Sequence, residues 1–274
     1  MTGAVTRGLL VALLIATPAL LLPGVAAQTS QITLLFALLA AVLTFVEYNS
    51  TLPSLVEFRN APPFNRLRFV ALFFTVFLIC AILRGKTDPT LLTGALTALG
   101  TIIGNAMDFP YSPVRLLILM LPEDAEGELV RTLRTAAGLA YLISLCAMTS
   151  FLLLVRVLGW PTRHGAFNVW VNLPRFDPTG GGDALQRLQR DARFNIAFGF
   201  LLPFIIPAVV KSAADLVDPI SIADPQTLIW TVSAWAFLPA SMIMRGIAMA
   251  RIAVMIEDRR RRVHAEAEDG LQAA

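Results

Sequence analysis

Residues 89–122 have the sequence PTLLTGALTALGTIIGNAMDFPYSPVRLLILMLP. An apolar run ends at Gly104 and Asn105, a polar and proline-containing break follows, and a second run of about nine residues begins at Val114. Nine helical residues rise only about 14 Å, roughly half of a ~30 Å hydrocarbon core. The number of membrane crossings in this chain therefore depends on whether this stretch crosses once or dips and returns.

Two interpretations of this stretch stay open. In one, it is a re-entrant or broken helix pair whose polar residues face a water-filled cavity, where non-helical backbone is tolerated. In the other, it is a complete fourth span, a proline-bounded turn and a short helix in the membrane interface. The polar residues concerned are Asn105, Asp108, Tyr111 and Ser112.

The rest of the chain predicts an all-α, polytopic membrane bundle. Hydrophobic residues make up 56% and charged residues 15% of the 274 residues, whereas soluble domains are about a quarter charged. About seven apolar segments, giving six to eight crossings, form one domain over 1–256, with a loop at 158–194 and a polar, partly disordered cytoplasmic tail at 257–274. The predicted spans are 8–27, 31–49, 67–84, 89–108, 135–157, 195–217 and 226–248.

The basic residues predict the orientation. The loop 158–194 and the Arg259 to Arg262 run belong in the cytoplasm, because Lys and Arg favour that side, and 218–225 has no basic residue. Seven crossings put the N-terminus outside, with about 14 basic residues inside and about 8 outside. An even number of crossings puts the N-terminus and Arg7 inside, with roughly 16 basic residues inside and roughly 6 outside. The distribution of charge therefore favours an even number of crossings. We expect the first apolar segment to be retained as a helix, with Pro18 and Pro23 available for kinks.

Helix packing and ionisable groups supply the candidate site residues. Gly100 and Gly104, with Thr97 nearby, form a small-xxx-small pattern that predicts close approach to another helix. Ionisable side chains inside a membrane are expensive and are therefore candidates for function. Lys211 and Asp215 can pair along one helix face, either as an ion or proton site or as a neutralised interfacial pair, and Glu47 is expected to pair with Arg59 or Arg66.

Contact surfaces are predicted outside the spans. Trp160 and Trp170 suit the headgroup layer, and DALQRLQRDARF carries Arg187, Arg190 and Arg193 around an apolar side. This segment can lie on an anionic leaflet, dock on a partner, or extend the sixth helix. Residues 122–134 are expected to begin the fifth helix outside the membrane, with Pro122 in its first turn.

The sequence contains no arrangement that indicates catalysis, a cofactor or a metal site, and we expect no nucleic-acid partner. Our hypothesis is a non-enzymatic accessory, assembly or scaffold subunit of a larger inner-membrane complex, in a bacterial cell. Its partners would be the bilayer, including anionic headgroups, and other membrane subunits. The alternative is a small transporter or channel with a polar path near Asn105, Asp108, Lys211 and Asp215.

Overall fold

The computed structural model describes residues 2–23, 27–51, 54–122, 124–161, 169–174, 176, 183–214 and 222–272. These residues form helices and connecting turns, with no strand among them. The helices, in chain order, are α1 Thr2–Leu21, α2 Ala27–Asn49, α3 Phe64–Thr87, α4 Leu91–Met107, α5 Pro113–Ile118, α6 Gly127–Arg156, α7 Val169–Asn172, α8 Ala184–Ala214 and α9 Pro225–Gln272.

Six of these helices are long and apolar enough to cross a membrane, namely α1, α2, α3, α6, α8 and α9. The first of them, α1, both begins and ends six residues before the predicted span 8–27, because it runs from Thr2 to Leu21. Pro18 lies inside α1 and is buried, whereas Pro23 follows the helix end. The remaining predicted span, 89–108, is the shorter helix α4.

Helix α4 begins and ends at the same end of the bundle. At its start, Thr93 lies against Gly85 near the end of α3, and Lys86 of α3 pairs with Glu128 in the first turn of α6. At its finish, Asp108 pairs with Arg134 of α6. A 17-residue helix rises about 25 Å, so α4 must be inclined to α6 for its start to lie beside the end of α3 and its finish beside Arg134 of α6.

Three helices extend beyond their apolar segments. Helix α6 begins at Gly127 with Glu126 as its N-cap, so Pro122 is not in its first turn as predicted. Helix α8 begins at Ala184, so DALQRLQRDARF is largely the start of the fifth long helix, which is the sixth predicted span. Helix α9 continues to Gln272, whereas 257–274 was expected to be a partly disordered tail.

Two buried clusters divide the core between the two ends of the bundle. One, at the α4–α5 end, includes Val76, Leu117, Leu133 and Trp235. The other, at the opposite end, includes Phe58, Phe64, Phe151 and Trp160, whose rings contact one another. This second end also holds the start of α1 and the last part of α9.

Helix α2 lies at the edge of the bundle. It packs along α1, with Gly8 of α1 so close to Ala41 that an added Cβ would lie 2.8 Å from the Ala41 carbonyl oxygen. Its remaining surface is apolar and open. The exposed side chains are Ile32, Leu34, Leu35, Phe36, Leu38, Leu39, Val42, Leu43 and Val46.

Candidate functional site

The break between α4 and α5 contains a buried carboxylate held by two arginines. Asp108, whose side chain is 5% exposed, ends α4. Its Oδ2 accepts a hydrogen bond from Arg134 Nε at 2.7 Å, and Arg115 Nε lies 2.7 Å from Oδ1. The Arg115 contact has ion-pair distance without hydrogen-bond alignment, since Oδ1 has no hydrogen-bond donor. Asp108 therefore joins α4, α5 and α6 electrostatically.

Local sequence explains how the two arginines reach this carboxylate. Ser112 caps α5 by accepting a hydrogen bond from the Arg115 backbone N–H at 3.0 Å, which starts a helical turn directly after the break. Tyr111, just before it, has a positive φ of 64°, so the chain turns sharply here. The turn brings Arg115 back over Asp108, whose backbone carbonyl also accepts a 3.3 Å bond from Arg115 Nη2.

The other described members of the predicted polar path, Asn105 and Lys211, do not contact the Asp108 carboxylate. Asn105 is exposed, and Lys211 is exposed and donates to the backbone carbonyl of Leu119 at 3.0 Å. Asp215 lies outside the described residues. Among the described members of this path, Asp108 is the carboxylate, and the two arginines occupy it, so the arrangement is suited to fastening helices together.

Glu47 fastens the loop that follows α2. Its carboxylate accepts hydrogen bonds from the backbone N–H groups of Ser54, Leu55 and Val56, at 3.0 to 3.2 Å, and from the Ser54 hydroxyl. The expected partner Arg59 donates instead to the Glu47 backbone carbonyl at 2.6 Å, and to that of Ser50 at 2.7 Å. Arg59 thus caps the end of α2, where free carbonyls attract a cation.

A second ion pair, between Glu57 and Arg245, was not predicted from the sequence. Arg245 Nε and Nη2 donate to the two Glu57 oxygens at 2.6 and 2.9 Å, which is a bidentate contact. It ties the loop before α3 to the middle of α9. Arg245 follows a 20-residue apolar stretch in α9, and its isolation among apolar residues was the available signal.

Four arginines lie near Tyr48 at the end of the bundle that holds Phe58 and Trp160. The guanidinium of Arg7 lies 4.5 Å from the centre of the Tyr48 ring. Arg7, Arg59, Arg66 and Arg68 are all close enough to act electrostatically on the Tyr48 hydroxyl. They come from α1, from the loop after α2 and from α3, so sequence reasoning could see their charge but not their convergence. We call these four residues the arginine cluster.

Small residues set the closest helix contacts. Cβ atoms added at Gly100 would meet Leu139 and Thr135 of α6 at 2.8 Å, and one at Gly104 would meet the Arg134 carbonyl oxygen at 2.8 Å. Thr97 donates to the Thr93 carbonyl within α4. The facing glycine, Gly138, was missed because its neighbours in the sequence form no spaced pattern of glycines.

Among the residues of the predicted contact surfaces, Trp160 is placed differently from expectation, whereas DALQRLQRDARF follows one of its three alternatives as the start of α8. Trp160 is 5% exposed and donates from Nε1 to the Ala61 carbonyl oxygen, so its ring packs in the core and is not free to contact lipid headgroups as predicted. The Trp170 side chain lies outside the described residues. Arg187 packs over the Phe176 ring, and Arg190 and Arg193 are exposed.

In the described part of the chain, no group of three or more His, Cys, Asp or Glu residues could hold a metal ion. Comparison of the chain with protein families, with curated proteins and with solved structures finds no match.

Proposed function

We propose that this protein is a non-enzymatic accessory, assembly or scaffold subunit of a larger inner-membrane complex. In this proposal the six long apolar helices cross the bilayer, and α4 with α5 forms a half-inserted element on the outer side. The N- and C-termini are cytoplasmic. The even number of crossings agrees with the distribution of Lys and Arg along the chain.

The extension of α9 carries the proposal. The last residues of α9 in the buried core are Ile252 and Ala253, and the helix continues for another 19 residues to Gln272, about 29 Å at 1.5 Å per residue. Asp183, beside the first turn of α8, bonds to Arg260 and holds the base of this extension. We call residues 254–272 the α9 stalk.

The described stalk residues from Arg259 to Glu266 are exposed. A helix that is polar on all sides gains little from packing within its own chain, so it either bridges to another body or depends on local charge pairs. The stalk has one such described pair, Glu257 with Arg261. A cytoplasmic partner seated on the stalk would supply the missing packing, and the open apolar face of α2 could meet a partner helix within the bilayer.

The test is affinity purification of the full-length chain from native membranes, followed by mass spectrometry. Ala265→Pro breaks the stalk, because proline removes a helical hydrogen bond and clashes with the preceding turn, and Ala265→Ser is the matched control. We expect the wild type and the serine variant to recover the same stable partner and the proline variant to lose at least about 90% of it. Recovery of the chain alone in every case would contradict the proposal.

A small transporter or channel is the second candidate, and the inclined helix α4 ending at a buried carboxylate is the observation that favours it. Reconstituted vesicles provide the test. A solute or ion flux that disappears on Asp108→Asn, with the protein still folded, would support this candidate over the accessory role.

A further inference from the structure

The arginine cluster lacks the carboxylates that normally neutralise such groups. No described carboxylate forms an ion pair with Arg7, Arg59, Arg66 or Arg68. The two nearby glutamates are occupied, since Glu47 binds loop backbone and Glu57 binds Arg245. The four guanidinium groups outnumber these two carboxylates, one of which is shared with Arg245, so the cluster carries a net positive charge.

Arg68 is the most informative member. Its guanidinium packs over the rings of Phe64 and Phe237, at 5.2 and 5.6 Å from their centres, and its Nε is buried without a hydrogen-bond partner. A buried, unsatisfied donor on a charged group costs free energy comparable to a lost charged hydrogen bond. An anion from outside the chain would offset this cost by pairing with the charge of the guanidinium, since Nε itself is covered by protein.

We propose that the arginine cluster binds the phosphate of an anionic glycerophospholipid. This inference rests on the membrane placement in the proposed function, which puts the end of α2 and the start of α3 at the cytoplasmic headgroup level. Arginine guanidinium groups match phosphate oxygens in geometry and charge.

The surroundings suit a lipid better than a free anion. Within two helical turns of the cluster, α2 exposes Val42 and Val46, and α3 exposes Val70 and Phe74. These side chains would contact acyl chains while the headgroup remains among the arginines. Tyr48 has an apolar ring and a polar hydroxyl, which suits the boundary between the two regions.

Native mass spectrometry of the full-length protein in detergent tests the inference with phosphatidylglycerol and phosphatidylcholine of matched chains. We expect the wild type to retain phosphatidylglycerol and not phosphatidylcholine. Removing one arginine near an anionic headgroup should weaken binding about fivefold. Arg7→Gln combined with Arg68→Gln should then weaken it about 25-fold, while Arg259→Gln with Arg262→Gln, the same charge change on the stalk, leaves it unchanged.

Two further arms keep the result decisive. If the double variant does not fold, the wild type is compared in thermal unfolding, where phosphatidylglycerol should raise the midpoint and phosphatidylcholine should not. Stabilisation by inorganic phosphate at the same concentration, equal binding of both lipids, or full binding by a folded double variant would overturn the inference. The two proposals can fail separately. If lipid binding is absent and the partner is still recovered, only this inference fails; if lipid binds and no partner is recovered, only the accessory role fails.

Discussion

A Cβ atom added to Gly138 of α6 would lie 2.5 Å from the Cα of Gly104 in α4, so the two helices meet backbone to backbone. Small residues permit this approach, and dispersion contacts between the backbones stabilise it in a membrane. The contact fixes the position of α4, whose end carries Asp108.

Gly104→Ala should therefore destabilise the protein by about 1–3 kcal/mol, because the new methyl group meets backbone atoms that cannot move aside. Gly94→Ala, in the same helix, is the matched control, since nothing lies within 4 Å of its Cβ position. Reversible unfolding in mixed micelles measures both. Equal effects of the two substitutions would show that α4 does not pack in this way.

Asp108→Asn should destabilise the protein by about 2–4 kcal/mol, because two partly buried guanidinium groups lose their counter-charge. Asp88→Asn breaks a pair in which both side chains are more than 40% exposed, and should cost less than about 0.5 kcal/mol. The same unfolding measurement applies. A loss no greater than that of the control would mean that Asp108 is not a fastening point.

Glu57 and Arg245 should be energetically coupled. A double-mutant cycle with Glu57→Gln and Arg245→Gln should give a coupling of about 1–3 kcal/mol, since the pair is bidentate and Glu57 is 12% exposed. The exposed pair Glu257 and Arg261 should give about 0.5 kcal/mol or less. If the coupling energy of Glu57 and Arg245 is as small as that of Glu257 and Arg261, the ion pair does not stabilise the contact between the loop and α9.

The stalk should loosen in acid. The backbone N–H of Leu185, helped by the Arg260 guanidinium, holds the pKa of the Asp183 carboxyl below its ordinary value. The ion pair between Asp183 and Arg260 therefore stabilises the folded stalk fully above the ordinary pKa of aspartate. This stabilisation is lost as the pH falls through the lowered pKa of Asp183. Spin-label distances between the starts of α8 and of the stalk should broaden on acidification in the wild type and already be broad at neutral pH in Asp183→Asn. A distribution that does not respond to pH in the wild type would refute this.

The chain before α4 and the chain after α5 should emerge on the same side of the membrane. With Cys80 and Cys146 replaced, single cysteines at Asp88 and Asp124 should both react with an impermeant maleimide added outside intact spheroplasts, and a cysteine at Arg259 should not. Labelling of only one of the first two would mean that α4 crosses the bilayer.

The sequence by itself determined the helical class, most of the long apolar segments and the close-packing role of the α4 glycines, because length and hydropathy are properties of single segments. Charge counting also favoured an even number of crossings. Helix ends were predicted less well, as at Leu21 and Gly127, since capping and packing decide them.

Contacts between distant residues needed the tertiary structure. Asp108 and Arg134 are 26 positions apart, and Glu57 and Arg245 are 188 apart, so no local spacing indicates either pair. Trp160 looked suited to a headgroup layer and is buried, because the loop at 54–63 folds over it. In the opening stretch 89–122, composition allowed a crossing or a return, and only the tertiary structure supplies an observation that bears on the choice, namely that α4 starts beside the end of α3 and finishes beside Arg134 of α6.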